Sequence, residues 1–196
     1  NAPTSVDRYA PSSQPPAPGP SRVIRALHLV NGEHYSGAER VQDLLAMQLP
    51  RLGCGVGFVC VKPRRFPAAR ESKNAPLAEV PMRGRFDLRV VKRIAHIVKD
   101  EGYQLIHAHT PRTALVGRLA AKRAGVPFVY HVHGPAGRDS TRRFFNKINA
   151  MIEWGAVRDA DRLIVVSSSL RQYMIAAGIA PERVTCVSNG VPALGN

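Results

Sequence analysis

Short apolar runs alternate with segments of helical periodicity along most of this chain, and that alternation restricts its fold more than any single motif. The apolar runs predict strands at residues 23–30, 55–61, 77–81, 104–109, 126–133, 162–166 and 184–188. The periodic segments predict helices at residues 37–52, 88–101, 113–124, 141–158 and 170–177. Strands that are apolar on both sides and separated by helices are typical of a parallel sheet covered on both faces. The sequence therefore predicts a doubly wound α/β domain of about seven strands.

The first 21 residues have a different composition, in which prolines recur among Ser, Ala and Gly between Pro11 and Pro20. Such a segment cannot bury enough apolar surface to form a core. We therefore expect residues 1–21 to be a disordered or extended lead-in, and Asn1-Ala2 fits a remnant of a cloning tag. The folded domain is expected to cover residues 22–191.

The charge of the chain is strongly unbalanced, because 28 Lys and Arg stand against 14 Asp and Glu and give a formal net charge of +14. Such a surface attracts nucleic acid, anionic lipid headgroups or phosphorylated ligands. Aromatic residues make up only 6% of the chain, and no zinc-finger or RNP motif is present. We therefore expect no nucleic-acid partner and favour an anionic membrane surface or phosphorylated ligands.

The sequence also bears on where the protein works in the cell. No apolar run approaches the ~20 residues that a membrane span needs, and no signal-peptide pattern is visible. The 3 cysteines lack a C-x-x-C spacing and are interpreted as buried thiols. These features predict a cytoplasmic protein and leave open a peripheral position on the inner face of the cytoplasmic membrane.

The loop after the first predicted strand has the composition of a ligand-binding turn. Ser36, Gly37 and Ala38 follow that strand and open the first helix. A helix start offers free backbone N–H groups that attract anions, and loops at the carboxyl ends of parallel strands face the ligand crevice. The spacing does not fit the dinucleotide pattern G-x-G-x-x-G, so we interpret the turn as a phosphate-facing loop. The alternative is an ordinary connection in which Gly37 serves tight packing.

Two H-x-H pairs end the predicted strands at 104–109 and 126–133. The residues there that can carry chemistry are His107, His109, Thr110, His131, His133, Gly134 and Arg138. Histidines two apart on a strand share a face, so both pairs could converge on a metal ion. No Asp or Glu sits at these strand ends, and we expect no metal. We interpret His107 and His131 as packed side chains and His133 as the ligand contact.

A basic and aromatic segment follows the second pair. Arg142, Arg143, Phe144 and Lys147 lie at helical spacing, which is typical of a helix at a membrane interface. The alternative is a core-facing apolar stripe with a solvated basic flank. Further along, Ser167–Ser169 are interpreted as the start of a helix rather than as a nucleophile site, because no G-x-S-x-G pattern is present.

In their order and spacing, several segments resemble one known family. They are Gly37-Ala38-Glu39-Arg40, Ile106-His107-Ala108-His109-Thr110, His131-Val132-His133-Gly134, Glu153, the run from Ala160 to Ser167, and Val187-Ser188-Asn189-Gly190-Val191. From residue 23 to residue 191, the chain resembles the N-terminal domain of a retaining, family-4 type glycosyltransferase of GT-B fold, among the relatives of the group 1 glycosyl transferases. In such enzymes two Rossmann-like domains enclose a cleft, with the acceptor held mainly by the N-terminal domain.

The resemblance implies a role for particular residues. His133 resembles the histidine near the transferred sugar and takes the catalytic role, while Ser36, Gly37 and Ala38 resemble the loop that approaches the donor diphosphate. The acceptor side would include His109, Thr110, Gly134 and Arg138. The implied partners are a UDP- or GDP-linked sugar and a glycan or lipid-linked acceptor, with no cofactor and no metal. The single glycine at Ser36-Gly37 departs from relatives that carry two.

The chain also departs from the family at its end. It stops at Asn196, before the basic residues and the paired glutamates of a donor-binding domain could appear. The resemblance implies that residues 192–196 begin an interdomain linker and that the chain alone is inactive, as an expressed fragment or a natural truncation. The alternatives are a stand-alone, non-catalytic Rossmann module that binds a phosphorylated or membrane partner, and a GT-B enzyme such as a sugar-nucleotide epimerase.

Overall fold

The computed structural model describes residues 23–84, 86–133 and 143–188, apart from the side chains of residues 143–149. Its strands are β1 (Ile24–Val30), β2 (Cys54–Cys60), β3 (Leu77–Glu79), β4 (Leu105–Ala108), β5 (Phe128–Val132), β6 (Arg162–Val165) and β7 (Val184–Cys186). Its helices are α1 (Gly37–Gln48), α2 (Phe66–Ala69), α3 (Arg89–Asp100), α4 (Pro111–Ala124), α5 (Arg143–Asp159) and α6 (Ser168–Ala176). Short 3-10 turns cover Leu49–Leu52 and Pro181–Arg183.

The strands form one sheet of 7 strands in the order β3-β2-β1-β4-β5-β6-β7. Every strand pair in it is parallel. The chain leaves β1 towards β2 and later returns to the other side of β1 as β4, so the strand order reverses between β1 and β4. Ligands of open parallel sheets bind outside the carboxyl ends of the strands at such a reversal. The structure confirms the predicted Rossmann-like α/β fold of about seven strands.

The helices divide unequally between the two faces of the sheet. Right-handed connections put α1 on one face and α3 to α6 on the other. On that second face, here called the helix-rich face, buried side chains of α3 to α6 pack on the strands, and Leu29, Ile106, Tyr130 and Leu163 lie in this larger core cluster. The opposite side, here called the α1 face, has a smaller cluster that includes Ala46 of α1 and Phe58 of β2.

Several helices differ from the predictions: α2 was not predicted, α4 and α6 each begin two residues early, and α1 ends at Gln48, where a 3-10 turn follows. The basic stretch after β2 lies outside every predicted strand and helix, but it contains the short helix α2, with a proline in its first turn and Phe66 fully buried. The helix α4 begins at Pro111, two residues before the predicted start at 113. Thr110 caps this helix and Pro111 takes its first position, a place where the missing N–H of proline costs nothing. Its end at Gly125, with a φ of 76°, is as predicted.

Three further expectations can be compared with the described residues. Of the three cysteines predicted to be buried, only Cys60 is buried, while Cys54 and Cys186 are partly exposed. Ser167 caps α6 and accepts a hydrogen bond from the Leu170 N–H at 3.2 Å, as predicted. In the part of the chain that the structure describes, no helix is both long and apolar enough to span a bilayer. The predicted lead-in at residues 1–21 lies outside the described residues.

Candidate functional site

Five histidines lie side by side on the α1 face, across the centre of the sheet. His28 of β1 pairs in register with His107 of β4, and His107 pairs with Val129 of β5. Because side chains alternate along a strand, residues two apart share a face, so His109 lies beyond His107 and both histidines of β5 lie on that same face. We call His28, His107, His109, His131 and His133 the histidine row.

The rings of the histidine row contact one another. Ring centroids are 4.6 Å apart for His28 and His107, 4.3 Å for His107 and His109, and 4.8 Å for His109 and His131. His131 and His133 stack at 4.4 Å. Two nitrogen pairs are within hydrogen-bond distance: Nδ1 of His109 lies 3.1 Å from Nε2 of His133, and Nδ1 of His107 lies 3.4 Å from Nε2 of His28. The row therefore connects the middle of the sheet to its carboxyl edge.

The protein environment keeps these imidazoles neutral. Burial lowers the pKa of His28 to about 3 and that of His131 to about 4, with neighbouring histidines adding to the effect. Burial also lowers the pKa of His107 and His109 well below the ordinary value. His133 is partly exposed, and burial lowers its pKa while the nearby Glu39 carboxylate opposes that change. At neutral pH each ring therefore has one N–H donor and one acceptor nitrogen.

The row also tests the metal hypothesis. Two triads, His28–His107–His109 and His109–His131–His133, each have one nitrogen per residue within 4.8 Å of the others. Metal-binding histidines normally donate the second ring N–H to an acceptor. Among the described residues, Nε2 of His109 and both nitrogens of His131 have no hydrogen-bond partner. No acidic residue joins either triad within that same part of the chain, so the arrangement fits packed neutral rings better than a metal centre.

The start of α1 lies in the same corner of the molecule as His133. Ser36 precedes the helix, and its N–H and Oγ donate to Oε2 of Glu39 at 3.4 Å and 3.0 Å. Glu39 is only 4% exposed, and its charge acts on the pKa of His133. The loop of Ser36, Gly37 and Ala38 is thus adjacent, through Glu39, to the exposed end of the histidine row. Glu39 was not predicted as a site residue, although the capping-box spacing S-x-x-E marks it.

Gly37 has open space above its backbone. A side-chain carbon built at Gly37 would meet no described atom within 4 Å, and its φ is not positive. Within the described residues, neither tight packing nor backbone conformation therefore requires glycine at this position. The described residues thus give no packing reason for glycine here, and the position fits a place where a ligand approaches the backbone closely.

Asp43 holds α1 in place against the loop that follows α2. Its carboxylate accepts hydrogen bonds from Tyr35 Oη at 2.6 Å, from the Glu71 N–H at 2.7 Å and from the Ser72 N–H at 3.0 Å, and it also bonds the Ser72 hydroxyl. Burial alone would raise the pKa of Asp43, but these hydrogen bonds outweigh it and lower the pKa. Asp43 therefore stays charged and fixes the helix that carries the Ser36–Ala38 loop.

A cationic cluster surrounds Glu33 at the carboxyl ends of β1 and β2. Glu33 lies 2.7 Å from Nζ of Lys62, 3.6 Å from Arg64 and 3.8 Å from Arg112, and Arg112 also donates to the Asn31 side chain at 2.7 Å. The hydrogen bond from Lys62 is the main cause that lowers the pKa of Glu33. Three cations share one carboxylate, so this rim keeps an excess of positive charge beside the ligand crevice.

The remaining predicted site residues divide into three groups. Thr110 is the N-cap of α4 and accepts from the Thr113 N–H at 3.4 Å, while His109 is 4% exposed and faces His133. Both belong to the corner described above. The positions outside the described residues are Gly134, Arg138 and Arg142. Three more, Arg143, Phe144 and Lys147, lie in the first turns of α5, where side chains are outside the description.

Comparison with known proteins identifies the class of protein to which this α/β domain belongs. The model of Glycosyltransferase Family 4 matches residues 35–193, well over half of the 196 residues. The chain therefore belongs to glycosyltransferase family 4.

Two curated proteins illustrate the relationship. The chain is 30% identical over 107 residues to the UDP-Gal:alpha-D-GlcNAc-diphosphoundecaprenol alpha-1,3-galactosyltransferase of Escherichia coli, which covers 54% of this chain and 28% of that protein. It is 29% identical over 168 residues to the alpha-maltose-1-phosphate synthase of Mycolicibacterium smegmatis, covering 81% of this chain and 42% of that protein. The chain spans less than half the length of either relative.

Solved structures share the fold. The structure of HepE from Anabaena in complex with UDP and glucose superposes with a TM-score of 0.67 at 22% identity, over 86% of this chain and 45% of that chain. A UDP-N-acetylglucosamine 2-epimerase superposes with a TM-score of 0.62 at 12% identity, over 85% of this chain and 48% of that chain. These likenesses show the fold alone, and an epimerase is among the proteins that adopt it. The family match supports a transferase.

Proposed function

We propose that this chain is the acceptor-binding, N-terminal half of a glycosyltransferase that moves a sugar from a nucleotide-sugar donor to a glycan or lipid-linked acceptor with retention of configuration. The donor is a UDP- or GDP-linked sugar, and most of its binding site belongs to a second domain. The chain alone is then inactive, because it holds only one side of the cleft. The protein acts in the cytoplasm, at the inner face of the cytoplasmic membrane.

The observation that carries this proposal is the corner formed by the start of α1 and the end of the histidine row. Ser36, Gly37 and Ala38 place helix N–H groups and open space at the carboxyl edge, and Glu39 brings them beside His133. Backbone N–H groups at a helix start favour the charge of a diphosphate. The cationic cluster around Glu33 adds positive charge on the same edge.

His133 is the residue proposed to contact the transferred sugar. It is partly exposed, it ends the histidine row, and it remains neutral at physiological pH. A neutral imidazole can donate a hydrogen bond to a sugar or phosphate oxygen, and such contacts matter most where charge develops during transfer. His109, Thr110, Gly134 and Arg138 are proposed to form the acceptor side. The structure buries His109, so we assign it an indirect part on that side.

The experiment uses the intact enzyme, a panel of UDP- and GDP-linked sugars, and release of the nucleotide as the assay. We expect His133→Ala to lower kcat/KM by about 10²–10³-fold. His96→Ala is the matched control, because His96 is an exposed histidine on α3, on the opposite face of the sheet. Both variants should melt within a few degrees of the parent. Transfer that survives in His133→Ala, or a collapse of its thermal stability, would remove His133 from the proposed site.

The membrane surface is proposed as a partner because of the net charge of +14 and the basic segment at Arg142, Arg143, Phe144 and Lys147. Co-sedimentation with vesicles rich in phosphatidylglycerol tests it. Arg142→Glu combined with Arg143→Glu should abolish binding, whereas Arg51→Glu with Lys73→Glu, which changes the charge equally at exposed sites outside that segment, should reduce it only slightly. Equal binding by both double variants would contradict a membrane role for this segment.

A further inference from the structure

The hydrogen bond between His109 and His133 determines which ring nitrogen of His133 is protonated. Nδ1 of His109 lies 3.1 Å from Nε2 of His133, a normal hydrogen-bond distance. Both rings are neutral at physiological pH, because burial lowers the pKa of each. Each therefore has a single N–H, and one ring must donate while the other accepts. The two possible arrangements place the proton of His133 on different atoms.

The burial of His109 distinguishes these arrangements. Its other nitrogen, Nε2, is buried and has no hydrogen-bond partner among the described residues. If His109 were the acceptor, its only proton would sit on Nε2, as a buried N–H without an acceptor. If His109 is the donor, that proton is used in the contact and only an acceptor nitrogen is left unpaired. A buried donor without a partner is the rarer and more costly defect, so His109 is the donor.

We propose that His109 is a positioning residue that donates from Nδ1 to Nε2 of His133 and thereby fixes the single proton of His133 on Nδ1. No described residue accepts a hydrogen bond from Nδ1 of His133, so this N–H is the group that His133 offers to a ligand. The identity of that ligand as a nucleotide sugar rests on the proposed function, whereas the position of the proton does not. Binding partners of one ring nitrogen commonly set the role of the other in this way.

This assignment restricts the chemistry of His133. Its lone pair on Nε2 is occupied by the His109 N–H, so His133 does not take a proton from the acceptor. Instead, the Nδ1–H of His133 donates a hydrogen bond to an oxygen of the nucleotide sugar, either a sugar hydroxyl or an oxygen of the leaving diphosphate. His109 acts through His133 and needs no contact with substrate, which agrees with its burial.

NMR of the protein with ¹⁵N-labelled histidine tests the assignment without any assay of transfer. At pH 7.5 we expect the His133 signals of a neutral ring protonated on Nδ1 and those of His109 also protonated on Nδ1. A His133 ring protonated on Nε2 would overturn the proposal. Because this measurement needs neither donor nor acceptor, it can succeed even where His133→Ala shows that the proposed function is wrong.

Substitutions at His109 test the role in the intact enzyme. The amide of His109→Asn can place an N–H close to the position of Nδ1, so this variant should keep kcat within about threefold. His109→Leu removes the donor, and we expect kcat to fall about 10–100-fold with a smaller change in KM. The hydrogen bond to neutral His133 is then lost, so the acidic limb of the pH profile should move to higher pH.

His131→Leu is the matched control for packing. His131 is as buried as His109 and its ring stacks on His133 at 4.4 Å, but neither nitrogen of His131 forms a hydrogen bond with that ring. This variant removes a ring of the same size and should leave the proton of His133 on Nδ1. Equal loss of kcat in His109→Asn and His109→Leu, with the acidic limb unmoved in both, would show that His109 is only structural.

Discussion

Strands β4 and β5 present opposite chemistry on their two faces, although both faces bury side chains. Towards the helix-rich face they bury apolar side chains, among them Ile106 and Val132. Towards the α1 face the alternate positions are histidines, and His107, His109 and His131 are between 4% and 6% exposed. Neighbouring residues of the same strand therefore contribute in different ways. The apolar side chains on the helix-rich face lower the free energy of the folded state, whereas the histidines on the α1 face are polar groups shielded from water.

The buried histidines on the α1 face are residues that a sequence selected for stability alone would not contain. Burying a ring nitrogen without a partner is unfavourable, and the described part of the row contains several such atoms, on His28, His107, His109 and His131. Apolar residues of similar size would avoid this cost. Violations of this kind concentrate at functional sites, and the row ends at the residue that we propose contacts the sugar.

The first effect that separates the two faces is sensitivity to acid. Unfolded histidines take up protons near pH 6.5, whereas the folded protein lowers the pKa of His28 to about 3 and that of His131 to about 4. The unfolded state thus binds more protons below pH 6.5, so stability is complete above that pH and falls as the pH drops towards those folded values. Each of these two histidines should reduce the free energy of unfolding by about 2 kcal/mol between pH 7 and pH 5.

Chemical denaturation at a series of pH values measures this loss. His28→Gln removes one titrating group, so we expect its loss between pH 7 and pH 5 to be about 2 kcal/mol smaller than that of the parent. His96→Gln is the control, since His96 is exposed, and its pH dependence should match the parent. If His28→Gln and the parent lose stability in parallel, acid sensitivity does not originate in the histidine row.

The apolar face should respond to truncation rather than to pH. Ile106 is fully buried in the core cluster, beside Gly117 of α4, and Ile106→Ala should lower the free energy of unfolding by about 2–5 kcal/mol. Thermal or urea denaturation at pH 7.5 measures that loss. Because the substitution leaves the titrating groups in place, its pH dependence should equal that of the parent. A change in the slope with pH would show that the two faces are coupled through β4.

Gly32 and Gly37, which both follow β1, differ in the same way, because one serves stability and the other is proposed to serve ligand binding. Gly32 has a φ of +79°, and a side-chain carbon there would lie 2.2 Å from Sγ of Cys60. Gly32→Ala should therefore destabilise the fold by about 2–3 kcal/mol, from the unfavourable φ and the clash together. Gly37→Ala meets no described atom and should change stability by less than about 1 kcal/mol, in either direction.

Gly37→Ala should impair activity more than Gly32→Ala does, although it should lower stability less. In the intact enzyme, folded Gly32→Ala should keep its KM for the donor, whereas Gly37→Ala should raise it, because the new methyl group occupies the space proposed for the diphosphate. Donor binding and thermal melting, measured on both variants, decide between the explanations. If Gly37→Ala leaves the KM for the nucleotide sugar unchanged, the open space at Gly37 is not part of the donor site.

The sequence predicted the fold well because its apolar periodicity is regular and needs no long-range information. The site was predicted unevenly. His133 was selected from its place after a strand, but His28 was missed, since only the register between β1 and β4 brings it against His107. Glu39 was missed because its burial depends on how α1 meets the sheet. Such positions follow from packing between segments distant in sequence, which a single sequence does not encode in its local pattern.

The smallest effect concerns Thr110, at the end of β4 where the two faces meet. Its hydroxyl accepts from the Thr113 N–H, and Pro111 occupies the first helical position. Thr110→Ala removes this cap and should lower the free energy of unfolding by about 1 kcal/mol, whereas Thr110→Ser keeps the hydroxyl and should stay within a few tenths of that of the parent. Urea denaturation measures both. Donor and acceptor KM values then separate capping from the proposed acceptor contact, because loss of the cap alone leaves both values unchanged. A raised acceptor KM in Thr110→Ala, recovered in Thr110→Ser, would show that the hydroxyl serves both the helix and the acceptor side.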